Sequence, residues 1–438
     1  MTEASLTRQT LSAGPAGADV NRAMTVGIFV AACVFYLASL DFATSGDAVY
    51  YANLIDTLRF DDLTLHQGYY VIGLVFARVG EWLFGASTVQ SITAMNAFFG
   101  AGMLAVAYPL LCRYLGSSRD ALIGVLMLLL SHRVFFNATA AEIYTMQTFF
   151  VWTSFLLFEN RRFYWAGVSI ALAMWISPLT VFFGLWFPLV AWLRGFGWSA
   201  IFKFAGAGAL LYLPFLAVFY QELFWGTRGI LKISGQKDTT PLFAAKNFAK
   251  FQFKNYSILN ALLIPAVFAL KRERTLILMT LALAVPNIYV LSKLSGENNV
   301  FILPLDLIFV CWFMVGWRVL RDHSLVWIAY VAFLYQIVNF AIAEHSLFRP
   351  ANAEYAEHIR EIGQIVAAEQ DPAVLTLWSN QMDYVYYNRA EPAFPLEEGD
   401  WFQQTINIDE ISDQTKAEIL EHDVIFVIDP YRPTGYSE

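Results

Sequence analysis

An aspartate that opens a helix beside an apolar surface is placed to take a proton, and this sequence offers one. Asp47 stands in SGDAVYYA, just after the first long apolar run. Ala48, Val49, Tyr50 and Tyr51 follow it and predict the start of an interfacial helix. At a helix N-terminus the dipole keeps a carboxylate ionised, and an ionised carboxylate can accept a proton from a hydroxyl. An ordinary helix cap, with SGD as turn chemistry, fits the same residues. Asp41 lies earlier in the same loop. His66, in LHQGYY, can donate to a phosphate or steady a leaving group, or be a solvated loop histidine. Glu142, in AEIYT, opens a later apolar run, with Tyr144 beside it; His132 and Arg133 end the preceding run on the same side. Asn137-Ala138-Thr139 fits the N-glycosylation pattern, but the loop around it is tight.

Two further polar clusters stand out. The stretch 221–255 carries Arg228, Lys232, Lys237, Lys246, Lys250 and Lys254 against Glu222 and Asp238. That balance suits an anionic partner, either a lipid phosphate or pyrophosphate at a site or headgroups met nonspecifically. Glu297, Asn298 and Asn299 precede a late apolar run, with Pro304 and Asp306 deeper in it. An aspartate inside a span costs on the order of 3 kcal/mol, so Asp306 is expected to be paired or to line a cavity.

The elements that must position these residues follow from composition. Of 438 residues, 58% are hydrophobic and only 15% charged; a soluble domain carries about 25% charge. Mean hydropathy is +0.50, and the apolar residues are blocked into long runs, as a membrane requires. Runs at 24–40, 90–112, 119–136, 142–158, 163–177, 179–193, 200–220, 256–270, 275–292, 300–317 and 324–343 predict about eleven spanning helices. Ser177-Pro178 reads as a tight turn between two of them. Alternate loops carry the basic residues: Arg113 and Arg119; Arg161 and Arg162; Arg194 and Lys203; Lys271, Arg272 and Arg274; Arg318 and Arg321. The positive-inside bias makes those loops cytoplasmic. With Arg22 also inside, the N-terminus is cytoplasmic and the C-terminus outside.

Residues 1–23 then form a cytoplasmic tail without a convincing cleavage site, and 24–343 a membrane domain with external loops 41–89 and 221–255. Within the first loop, Gly68–Gly85 reads as an interfacial amphipathic helix, because a further span would invert every later loop. Residues 344–438 change composition and predict a small α/β domain. In it, strands at 373–378 and 423–429 flank a helix at 412–423, and a further helix covers 351–369. Cys33, Cys112 and Cys311 sit in apolar runs without metal-ligand spacing. No internal repeat and no nucleotide-binding motif is evident, and no nucleic-acid partner is expected.

Taken in order, these loops resemble those of the GT-C integral membrane glycosyltransferases, over roughly residues 24–320. The likeness is greatest to the protein O-mannosyltransferase-like and aminoarabinose-transferase-like branches. SGDAVYYA matches the acid that follows the first span in that family, HQGYY loosely matches its HPPG element, AEIYT its later acid, and FILP (301–304) its late YFLP-like element. The family's paired acid is Gly46 here, its prolines after the histidine are absent, and Asn298 and Asn299 stand where an arginine is common. The resemblance implies inverting transfer of a sugar from a polyprenyl-phosphate donor to a hydroxyl of a glycan, lipid or protein, at the outer face of a bacterial inner membrane. It implies Asp47 as general base, with either Asp41 as a second carboxylate or no second carboxylate needed. Glu142 orients hydroxyls, and His66, Tyr50, Tyr144, Arg228, Lys232, Glu297 and Asn298 line the substrates. Some members use a divalent cation beside the acidic loop; Asp41 and Asp47 alone specify none. A transporter or flippase of a lipid-linked or amphipathic substrate explains the spans equally well.

Overall fold

A computed structural model describes residues 15–40, 47–58, 66–184, 187, 195–221, 241–285, 288, 302–347, 364, 372–376 and 424–428. The helices are α1 (Pro15–Ala38), α2 (Asp47–Thr57), α3 (Gln67–Phe84), α4 (Thr88–Leu115), α5 (Ser118–Leu129), α6 (His132–Thr139) and α7 (Ile143–Glu159). They continue as α8 (Phe163–Ile176), α9 (Trp198–Val218), α10 (Pro241–Tyr256), α11 (Leu263–Ala266), α12 (Arg274–Met279), α13 (Asp306–Asp322) and α14 (Val326–Leu347).

Among the described residues three helical segments are long and apolar enough to cross a membrane: Thr88–Leu115, Trp198–Val218 and Leu303–Asp322. A fourth forms if α5 and α6 are taken as one span bent by 63°. The exposed surface agrees with lipid contact. On α14, Trp327, Val331, Leu334, Val338 and Ile342 form an exposed apolar row that water would penalise and acyl chains would not. The first and last of the three segments are central and mostly buried, whereas α9 is peripheral.

Local chemistry explains the helix ends that match the apolar runs. Ser87 and Gln90 close a reciprocal capping box that starts α4, and Gly116, at φ 65°, ends it in the left-handed region. Pro178 follows the extended Ser177 that ends α8 and opens a short 3-10 turn, Pro178–Thr180, as expected of Ser177-Pro178. Helix α3 is not among the spanning helices. It buries Tyr69, Tyr70, Gly73 and Ala77 and exposes Val71, Val75, Val79 and Trp82, so apolar side chains stand on its outer side as well as its packed one.

Four expectations are corrected. Helix α1 begins at Pro15, so the first helix reaches into the stretch read as a tail; proline tolerates a first-turn position because it needs no amide partner there. The run 119–136 is two helices, because the chain breaks at Ser131, which caps α6 by accepting from the Val134 amide. Arg133 therefore lies in the first turn of α6 rather than at the end of the preceding helix, and it is fully buried. The run 256–270 is no continuous α-helix but 3-10 turns (Ser257–Leu262, Val267–Ala269) around α11.

In the tail, β1 (Pro372–Thr376) and β2 (Val424–Ile428) pair in parallel, Pro372 opposite Val424 and Thr376 opposite Ile428. A parallel pair needs a long crossover, which the intervening residues are numerous enough to provide. The helices expected at 351–369 and 412–423 lie outside the described residues, save Gln364.

Helix α13 is held against the 257–269 segment by a backbone approach at Gly316. A Cβ there would overlap the Leu262 carbonyl. Gly316→Ala is expected to force the two segments apart and cost about 1–3 kcal/mol, seen as a lower thermal midpoint in detergent. An unchanged midpoint would show that the approach is not tight.

Candidate functional site

The starts of α2, α3 and α7 gather at one end of the helical assembly. Asp47 is the first residue of α2. On the next turn the Tyr51 ring stands perpendicular to the His66 imidazole at 6.0 Å and meets the Tyr69 ring at 5.3 Å and the Tyr70 ring at 5.9 Å. Tyr50 packs against Tyr51 at 6.1 Å. All four tyrosines are buried. Helix α2 is tied at its other end by the Thr88 hydroxyl of α4, which donates to Asp56 at 2.5 Å. The aromatic contacts and this bond together fix the direction in which α2 presents its first turn.

His66 caps α3 without a side-chain bond to its own helix. Its Nδ1 lies 2.9 Å from the Ile176 carbonyl of α8. A carbonyl only accepts, so Nδ1 carries the proton, and the neutral ring then offers Nε2 as an acceptor. Donation to a phosphate from Nε2 requires the imidazolium. Gly68 explains why HQGYY carries no bulk at that place: a Cβ there would stand 2.8 Å from the Trp175 backbone.

Glu142 precedes α7, but its carboxylate does not cap that helix. Its backbone is held from α4. The Asn96 side-chain amide donates 2.7 Å to the Ala140 carbonyl and also to the Glu142 carbonyl, clamping the turn that delivers the carboxylate. Burial, and then the negative charge of Glu142, push the Tyr69 phenol well above its ordinary range against a smaller opposing influence of Asn96. The phenol therefore remains a protonated donor beside Glu142. Tyr144, the second residue of α7, is buried.

Asn96, fully buried in an apolar helix, is a site residue that loop reading missed; an amide in the middle of an apolar run is the signal that marks it. Asn96→Ala removes the side-chain donor from the Glu142 carbonyl and leaves the Ala140 carbonyl only the Glu142 amide, and an orphaned buried group costs about 1–3 kcal/mol. The expected result is a lower thermal midpoint together with increased protease cutting at the 140–142 turn. Wild-type behaviour in both would show that the amide does not hold the turn.

The late FILP element also reaches α7. The Trp152 indole donates to the Pro304 carbonyl at 2.9 Å, and Pro304 lies in the turn Leu303–Leu305 that opens α13. Asp306, the first residue of α13, is fully buried and paired with Arg133 at 2.5 Å. Around the pair, Asn255 accepts from the Ser131 hydroxyl and the Arg133 amide, both at 2.7 Å, and Gln336 donates to the Leu130 and Asn255 carbonyls. Asp306 is thus paired, as its cost in a span demanded. Asn137, also fully buried, donates to the Arg133 carbonyl, which leaves its glycosylation pattern inaccessible.

Asp41, Arg228, Lys232, Glu297 and Asn298 lie outside the described residues, as does the side chain of Asp47. Among the described residues no three His, Cys, Asp or Glu side chains gather in a way that could hold a metal ion, and Cys33, Cys112 and Cys311 are free thiols. No protein-family model matches the chain, and no curated protein matches it.

Proposed function

We propose that this chain is a membrane glycosyltransferase of the GT-C kind, moving a sugar from a polyprenyl phosphate to an acceptor hydroxyl. One observation carries the reading. The helix starts bearing Asp47, His66 and Glu142 converge through Tyr51 against His66 and Tyr69 beside Glu142. Far-apart sequence positions thereby serve one locus beside the bilayer, where both substrates would be confined and oriented.

In this reading Asp47 takes the acceptor's hydroxyl proton. The oxygen attacks the anomeric carbon with inversion, the bond from that carbon to the phosphate oxygen breaks, and the phosphate leaves with the electron pair. His66, as imidazolium, with Arg228 and Lys232, offsets the charge that develops on the phosphate. Glu142 and Tyr69 orient hydroxyls. Asp41, Tyr50, Tyr144, Glu297 and Asn298 complete the proposed lining. The same reading places about eleven spans in a bacterial inner membrane, the N-terminus in the cytoplasm and an α/β tail outside.

The ion pair Arg133–Asp306 favours a second reading, transport, because buried charges in spanning helices also mark ion and substrate pathways. Mass spectrometry of envelope glycans, glycolipids and glycoproteins from cells with and without the gene separates the two. Sugar transfer predicts a hexose or pentose increment that disappears with the gene. Identical profiles, together with substrate flux in proteoliposomes and no covalent product, would establish transport instead.

A further inference from the structure

Helix α10 carries Lys246, Lys250 and Lys254 at four-residue spacing, so the three ammonium groups share one flank, about 6 Å apart along the axis. All three are exposed. The helix contains no Asp or Glu, and no acidic side chain among the described residues pairs with them. Beside the lysine row, Leu242 and Phe253 are 80% and 64% exposed, with Ala245 and Ala249 between them. The opposite side is committed to the protein: Phe248 packs on Phe309 at 5.6 Å, and Gln252 and Asn255 are buried. Asn255 ties the end of α10 to the start of α6, so that buried side is fixed in place.

From this arrangement we propose that α10 docks on the bilayer surface, its apolar row entering the acyl boundary and its lysine row meeting the phosphates of anionic phospholipids. Charge complementarity selects that occupant: three cations without an acidic partner among the described residues seek anions, and the adjoining exposed Leu242 and Phe253 need an apolar phase that a free phosphate cannot supply. The proposal does not depend on sugar transfer and would hold for a transporter as well.

The test is native mass spectrometry of the full chain in neutral maltoside micelles, titrated with phosphatidylglycerol or phosphatidylcholine. Wild type is expected to bind phosphatidylglycerol in preference. Lys246→Gln/Lys250→Gln/Lys254→Gln, with an unchanged thermal midpoint, should weaken phosphatidylglycerol binding roughly tenfold or more and leave phosphatidylcholine unaffected. The corresponding triple arginine variant should retain the preference, and Lys250→Glu alone should lose more than Lys250→Gln. Leu242→Ser/Phe253→Ser, which keeps the charges, should weaken both lipids. Phosphatidylglycerol binding undiminished in the triple glutamine and Lys250→Glu variants would overturn the proposal. So would displacement of the lipid by equimolar inorganic pyrophosphate, which would make the row a free-phosphate site.

Discussion

Arg133→Ala should abolish the monodisperse, folded protein, and replacing Arg133 together with Asp306 should restore it. The single change leaves a carboxylate with no exposure and no countercharge. Breaking one side of a buried pair typically costs 3–5 kcal/mol, against a total stability of about 5–15 kcal/mol. Lipid makes the abandoned charge no cheaper, because the acyl core offers no water to rehydrate it. Asp306→Ala should do comparable damage by stranding the guanidinium. The double variant Arg133→Met/Asp306→Leu removes both charges and keeps much of the volume, a change that is neutral or stabilising in other buried pairs. Size-exclusion profiles and thermal midpoints in detergent, arranged as a double-mutant cycle, read the coupling directly. Additive effects in that cycle would show that the pair contributes nothing as a pair. The surroundings argue for strong coupling: Asn255 holds the Arg133 backbone while Gln336 of α14 holds Asn255, so α6, α10, α13 and α14 all meet at this point.

That network also shows where sequence reading stops. Boundaries set by local chemistry were legible. The run 90–112 is the core of α4, whose ends are made by Ser87, Gln90 and Gly116; 142–158 is α7; 163–177 is α8, stopped before Pro178. The break between α5 and α6 was not legible as a break. Ser131 and His132 sit in an apolar context, and the side chain that stabilises the new helix start, Asn255, comes from 124 positions away. The cost of a carboxylate at position 306 was readable from hydropathy alone, but the identity of its partner was not. Arg133 looked like one more loop cation, and only packing shows that it points inward. The grouping of Asp47, His66 and Glu142 rested on a shared side of the membrane. The tyrosines that bring their helix starts together are ordinary apolar-aromatic residues in sequence, because ring–ring contact leaves no spacing signature.

If the convergence of those helix starts is catalytic, Asp47→Asn should lower transfer from a polyprenyl-phosphate sugar by about 10²–10⁴-fold, the usual worth of a general base. Asparagine preserves size and the start of α2 but cannot accept the proton, so folding and donor binding should survive. Kinetics then report a fall in kcat at nearly constant KM. Glu142→Gln should behave differently. Its carboxylate does not cap α7, so the helix survives, but the negative charge that acts on the Tyr69 phenol is lost. An orienting role predicts a smaller loss that includes a rise in KM for the acceptor. Reversed signatures, with Glu142→Gln eliminating turnover and Asp47→Asn merely weakening it, would move the base to Glu142 and make α2 the binding element. Full turnover in both variants would remove the carboxylates from the chemistry altogether. Cysteines placed singly at 47 and 142 supply the independent geometric check. Both should react with the same membrane-impermeant thiol reagent from one side of a sealed vesicle, because Tyr51 and Tyr69 bridge the helix starts that carry them.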